Sequence, residues 1–122
     1  MNPDNQPATW EQVKYWRDLH EVAPVNTSFG LFDADSRSDL RMANSISQFA
    51  ELPTVVEGKL PWKRADNTYV LLSCTELEQV FEEVKKFRSI RGALLHEKAE
   101  QLRVHEPYPT PNQLKSIDFW LN

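Results

Sequence analysis

One cysteine, three glycines and no long apolar run set the first limits on this chain. The lone Cys74 cannot close an internal disulfide, so the fold must stand on packing and hydrogen bonds. Lying between Ser73 and Thr75, with no basic neighbour in sequence to favour a thiolate, it reads as a small buried or half-buried residue rather than a nucleophile. Glycines at 30, 58 and 92 are too few and too scattered for a phosphate-cradling loop. No stretch approaches the roughly 18 apolar residues of a membrane span. The opening MNPDNQP has neither the basic nor the apolar region of a secretory signal, which predicts a cytoplasmic protein. An excess of positive charge is missing too. The formal net charge is −4 and the pI about 5.3, the wrong balance for gripping phosphates. Lys63, Arg64, Lys85, Lys86, Arg88 and Arg91 do gather locally, but acids interleave or flank most of them, as on a solvated helix face. No nucleic acid and no membrane is expected as a partner.

What remains is a chain of 122 residues, 40% apolar and 26% charged, enough for one globular domain with a modest core. Residues 1–8, with Pro3 and Pro7 and no periodicity, are expected to form a disordered or docking arm. Residues 9–104 are expected to form a single α+β domain, and 105–122 a proline-rich link with a short C-terminal helix. Thr9 and Gln12 have capping-box spacing, so a helix is predicted from about Trp10 to Glu21, with Val13, Trp16, Leu19 and His20 on one side. Val25, Thr27, Phe29 and Leu31 alternate, the period of one half-buried strand over 25–32.

The motif DADSRSD begins like a calcium loop, with Asp33 and Asp35 at its first and third positions. Arg37 then stands at the fifth, Ser38 where the turn needs glycine, and Asn44 where a bidentate Glu is needed, so the pattern fails. Asp35 or Ser36 is the better reading as a helix N-cap. Met42, Ala43, Ile46, Phe49 and Ala50 make that helix's apolar stripe, and Pro53 ends it. Residues 54–60 read as a short strand or loop around Gly58. Asp66-Asn67 is turn chemistry between two strand-like arms, Trp62 to Ala65 and Thr68 to Leu72.

Thr75 and Glu78 are spaced as a second capping box, opening a long helix to about Arg103 with Gly92 as a candidate kink. Its stripe of Leu77, Val80, Phe81, Val84 and Phe87 is interrupted by Arg88 and Arg91 and resumes at Leu95, Ala99 and Leu102. Core packing is one use for that stripe, self-association into a homo-oligomer the other. Pro107, Pro109 and Pro111 make a stiff link, and Thr110 with Gln113 gives a third capping box. The helix that follows crowds Leu114, Ile117, Phe119, Trp120 and Leu121 into a few turns. A segment so apolar either folds back on its own domain or docks into a partner. The predicted fold is therefore α+β, a small antiparallel sheet of a hairpin plus one strand, packed with a short and a long amphipathic helix.

Reactive chemistry has no visible seat. His20, His96 and His105 lack the spacing of a zinc site, and Glu76, Glu78, Glu82 and Glu83 pair along the long helix with Lys85 and Lys86. No catalytic residue, metal or cofactor is assigned. Four tryptophans, six phenylalanines and three tyrosines are conspicuous instead, either filling a thin core or gripping another protein.

The stretches FGLFDADSRSDLRMANSI and LPWKRADNTYVLLSCTELEQVFEEV carry a resemblance. In order of parts the chain, over Thr9 to Leu102, resembles an uncharacterised domain of small tailed-bacteriophage tail proteins, often encoded beside tail-fibre genes. Trp10-Glu11, Phe32 to Asp35, Trp62-Lys63, Asp66-Asn67 and Thr75 match that domain's successive motifs. The resemblance implies a non-enzymatic tail-fibre assembly chaperone in the host cytoplasm, whose partner is a phage tail-fibre or baseplate protein. The alternative it leaves open is a structural fibre or baseplate subunit of the virion tail. Partner contacts are expected at Ile117, Phe119, Trp120 and Leu121, with Trp10 and Trp16.

Overall fold

A computed structural model of the chain describes residues 5–122, so the first four residues of the arm expected over 1–8 lie outside the described residues. In chain order the elements are α1 (Trp10–Glu21), β1 (Val25–Thr27), β2 (Gly30–Phe32), α2 (Ser36–Ser47), a 3-10 turn (Phe49–Glu51), β3 (Leu60–Lys63), β4 (Tyr69–Leu72), α3 (Cys74–Arg103), α4 (Pro111–Lys115) and α5 (Ile117–Leu121). The class is α+β, with two separate antiparallel two-stranded sheets. The chain divides into two compact units, Ala23–Arg88 and the remaining described residues. The C-terminal segment belongs to the unit that contains α1.

In the Ala23–Arg88 unit the expected single strand over 25–32 is a hairpin. Gly30 takes φ +113°, a conformation side-chain-bearing residues avoid, and the Thr27 hydroxyl donates to the Gly30 carbonyl and accepts the Phe29 N–H across the turn. A Cβ at Gly30 would lie 2.6 Å from Arg64 Nε, which crosses the turn to donate to the Phe29 carbonyl at 2.7 Å. The register sets Val25 opposite Phe32, and both are buried; on one strand, seven positions apart, they would face opposite ways. Asp35 caps α2 as expected, accepting the Ser38 N–H at 2.7 Å, and that bond holds its carboxyl below the usual range.

Glu57 and Gly58, both at positive φ, form a tight turn that bridges Val56 to Lys59. Strands β3 and β4 pair Leu60↔Leu72 through Lys63↔Tyr69, turning at Asp66-Asn67 with Asn67 at φ +70°. The Ala65 N–H donates to the Leu31 carbonyl and ties one hairpin to the other. Phe32, Ala34, Met42, Trp62, Leu72, Leu77, Val80 and Val84 make the core of this unit.

The cap of α3 is Ser73 with Glu76 rather than Thr75 with Glu78. Leu72 is fully buried at the end of β4, so Ser73 is the first residue free to turn. Its hydroxyl accepts the Glu76 N–H at 3.1 Å, and the Glu76 carboxylate accepts the Ser73 N–H at 2.8 Å and the Lys59 ammonium at 2.9 Å. The Ser73 N–H first, then Lys59, hold the Glu76 carboxyl down to about 2. A depressed carboxyl pKa stabilises the fold above its unfolded value and loses that contribution as pH falls through the folded one. Glu76→Gln is therefore expected to be less stable than the parent at neutral pH. In urea titrations the two should converge as pH drops from about 4.5 toward about 2.

Helix α3 runs unbroken from Cys74 to Arg103, through Gly92, where a kink was one expectation. The two arginines that interrupt its stripe have backbone partners. Arg88 donates to the Ala34 carbonyl at 2.9 Å and pairs with Asp39 at 2.7 Å, within the Ala23–Arg88 unit. Arg91 donates at 3.0 Å to the Glu21 carbonyl, at the negative end of α1, within the other unit. Each guanidinium thus donates to a carbonyl of the unit its own residue belongs to.

Candidate functional site: two apolar surfaces

In the second unit, α1 opens with the expected capping box, the Thr9 hydroxyl accepting the Gln12 N–H and the Gln12 side chain accepting the Thr9 N–H. Its inward face sets Val13 beside Leu95 and Ala99 of α3, with Trp10, Trp16 and Leu102 packed on the same cluster. Into that groove goes the C-terminal segment, which folds back rather than standing free: Leu114 and Trp120 are buried, and Ile117 and Phe119 pack against the cluster. The Thr110–Gln113 capping box forms with Pro111 at the first turn, and the segment makes two short helices, not one. Ala8, at the end of the expected arm, is buried here, and its N–H donates to the Pro109 carbonyl at 2.8 Å.

Five of the six expected contact residues meet at one cluster, Trp120 in its interior and the other four packed against it. Trp120 is 2% exposed, and its indole N–H donates at 2.9 Å to the Leu114 carbonyl, which also accepts His20 Nε2 at 2.8 Å. Trp10, Trp16, Ile117 and Phe119 are half-buried, and Leu121 alone lies exposed at the rim. All four tryptophans find shelter because the chain has two clusters to fill, with Trp62 in the other.

One exposed apolar surface lies on the β3–β4 hairpin; Tyr15, Leu40, Ile90, Leu94 and Val104 are exposed elsewhere. The inward residues of that hairpin, Leu60, Trp62 and Leu72, are core, while Pro61, Lys63, Tyr69 and Leu71 face out. Tyr69 and Leu71 are 66% and 61% exposed, and Val56 beside them 68%. Thr54, Val56, Glu57, Lys59, Pro61 and Leu71 line a shallow groove of about 510 Å³. The sequence carried a signal for this face in the uninterrupted apolar run Tyr69 to Leu72, which gives both sides of a strand apolar residues without telling which is covered.

Residues 4–103 match the family described as Domain of unknown function (DUF4376). The chain belongs to that family. No curated protein and no solved structure matches it. The DUF4376 match includes the whole hairpin face and every groove residue contributed by α1 and α3, but none of the segment 111–121 that fills the groove.

Several chemistry-bearing groups within the DUF4376 region have structural partners. Burial, then the nearby Glu78 carboxylate, pushes the Cys74 thiol up and away from thiolate character. Among the described residues Asp18, Glu21 and His96 converge, their ligand-type atoms within 4.8 Å of one another, a grouping that sequence spacing hides because His96 comes from a distant helix. Two contacts account for it: His96 Nε2 lies 2.9 Å from Glu21 Oε2, and Asp18 accepts Arg17 Nε at 2.9 Å. In the cleft beside Asp33, Arg41 stacks over the Trp62 ring at 5.0 Å, and Arg64 is held by the Phe29 carbonyl and Thr68.

Proposed function

We propose that the protein works by binding another protein, as a non-enzymatic tail-associated factor of a tailed bacteriophage that assists tail-fibre assembly in the host cytoplasm. The observation that supports a binding role is the outward face of the β3–β4 hairpin. Pro61, Tyr69 and Leu71 face out from a strand pair whose opposite side is already core, and Val56 lines the same groove as Pro61 and Leu71, a surface of the kind a second protein covers. The tail-fibre assignment rests on the resemblance described above. Under it the mechanism is steric and hydrophobic: this face covers an apolar stretch of the fibre until fibre chains pair with one another.

Leu71→Asp is the test. Because Leu71 is exposed, the change should leave stability within about 0.5 kcal/mol. It should weaken binding to the co-expressed fibre protein at least about tenfold, the effect of losing about 1.4 kcal/mol, as measured by calorimetric titration. Unchanged affinity in a folded variant counts against the hairpin as the contact. Mass spectrometry of purified particles then separates an assembly factor, which is absent, from a tail subunit, which is stoichiometric.

A further inference from the structure

The groove of the second unit and the segment that fills it are separable parts. The groove side, Ala8, Trp10, Val13, Trp16, Leu95 and Ala99, falls inside the family match, and the filling segment falls outside it. The segment is held as a docked peptide is held. Leu114, Ile117 and Trp120, at three-residue steps, pack into the cluster. Three polar contacts reach backbone oxygens of the segment and the residues flanking it, the Ala8 N–H to Pro109, His20 Nε2 to Leu114 and Lys98 Nζ to Asn122 at 3.2 Å, and one joins side chains, Asn112 Nδ2 to Asn5 Oδ1 at 3.4 Å. Side chains thus give affinity through apolar shape, while donors on the groove read a backbone any peptide would offer. The link at 104–107 is exposed along its length.

We propose that this groove is a receptor for an apolar helical segment of a partner protein, and that residues 111–121 are its built-in occupant, displaced when a partner segment of like chemistry arrives. The occupant states that chemistry: a short proline-started helix carrying Leu114, then a second short helix carrying Ile117, Phe119 and Trp120, all packed on the same cluster. The site is distinct from the hairpin surface, so its failure would leave the binding role argued there untouched. A short link gives the built-in segment an effective concentration on the order of mM, so a free segment of equal affinity competes poorly at µM. The gate keeps a greasy groove covered until a stronger ligand is present.

A fluorescent synthetic peptide of residues 105–122 tests this against the full chain and against full-length Leu114→Asp, whose own segment is loosened. Anisotropy should give at least ~10²-fold tighter peptide binding to Leu114→Asp than to the parent. A peptide keeping only Tyr108, Pro111, Leu114, Ile117, Phe119 and Trp120, with its other positions changed to residues of similar helix propensity, should bind comparably. A peptide carrying Leu114→Asp should not bind. Equal binding to both proteins, no binding to a folded Leu114→Asp chain, or failure of the scrambled-background peptide overturns the proposal. Loss of the far-UV helical signal in Leu114→Asp overturns it too, because the segment is then part of the core. A parent carrying a protease site in the 104–107 link, cut after folding, gives the second measurement: labelled peptide should exchange into the groove, and an occupant that never exchanges is permanent structure.

Discussion

Trp120→Ala should remove about 3–5 kcal/mol from the docking of the C-terminal segment, the usual effect of deleting a large buried aromatic. Trp120 is the largest fully buried side chain in the described structure. The substitution empties its place among Val13, Leu95, Ala99 and Leu114 and takes away the indole donor to the Leu114 carbonyl. That carbonyl keeps His20 as a partner, so the effect is mainly one of packing and not of a stranded polar group. Amide exchange over 111–121 should accelerate by the full extent of the lost docking energy, and acrylamide should reach Trp10 and Trp16 more easily. Leu121→Ala, one residue on but exposed, should change both readouts little. Protection of 111–121 that survives Trp120→Ala would mean that the backbone carbonyl contacts, not the indole, hold the segment down.

The sequence was most legible where both partners of an interaction sit within one turn. Thr9 with Gln12, Thr110 with Gln113, Asp35 with Ser38 and the Asp66-Asn67 turn were all readable, since spacing alone brings those groups together. Ser73 was passed over for Thr75 because two capping boxes overlap there, and the choice between them depends on where the buried β4 strand ends. The 25–32 stretch misled because its alternation is real, while the Gly30 backbone and the crossing Arg64, 35 residues away, fold it on itself. Arg88 and Arg91 looked like breaks because their acceptor carbonyls lie 54 and 70 residues away. Five of the six expected contact residues, all but Leu121, sit on a second cluster that no local pattern announces. The hairpin face was hidden for a related reason. Period-two alternation marks two faces, and only tertiary packing decides that Trp62 goes in while Tyr69 and Leu71 stay out.

The same dependence on placement fixes the expected outcome for two phenylalanines. Phe32→Ala should lower the unfolding free energy by about 3–5 kcal/mol, because the ring is 0% exposed and the fixed register opposite Val25 leaves little room for the strands to close on the void. Set against the roughly 5–15 kcal/mol that holds a domain together, that is a large share of the total. It falls on the unit that positions the β3–β4 face, since the Leu31 carbonyl beside Phe32 ties that hairpin in place through the Ala65 N–H. Phe87→Ala deletes the same ring from α3, where it is 40% exposed with Lys86 Nζ 5.9 Å from its centre. It should move the urea midpoint far less, by the equivalent of about 0.5 kcal/mol. Binding through Tyr69 and Leu71 should follow the same order, weakened by Phe32→Ala in proportion to the fraction of chain unfolded and indifferent to Phe87→Ala. Comparable losses from both substitutions would mean that the Phe87 ring is covered in solution, and the long helix would then have to be associating with a second copy along that side.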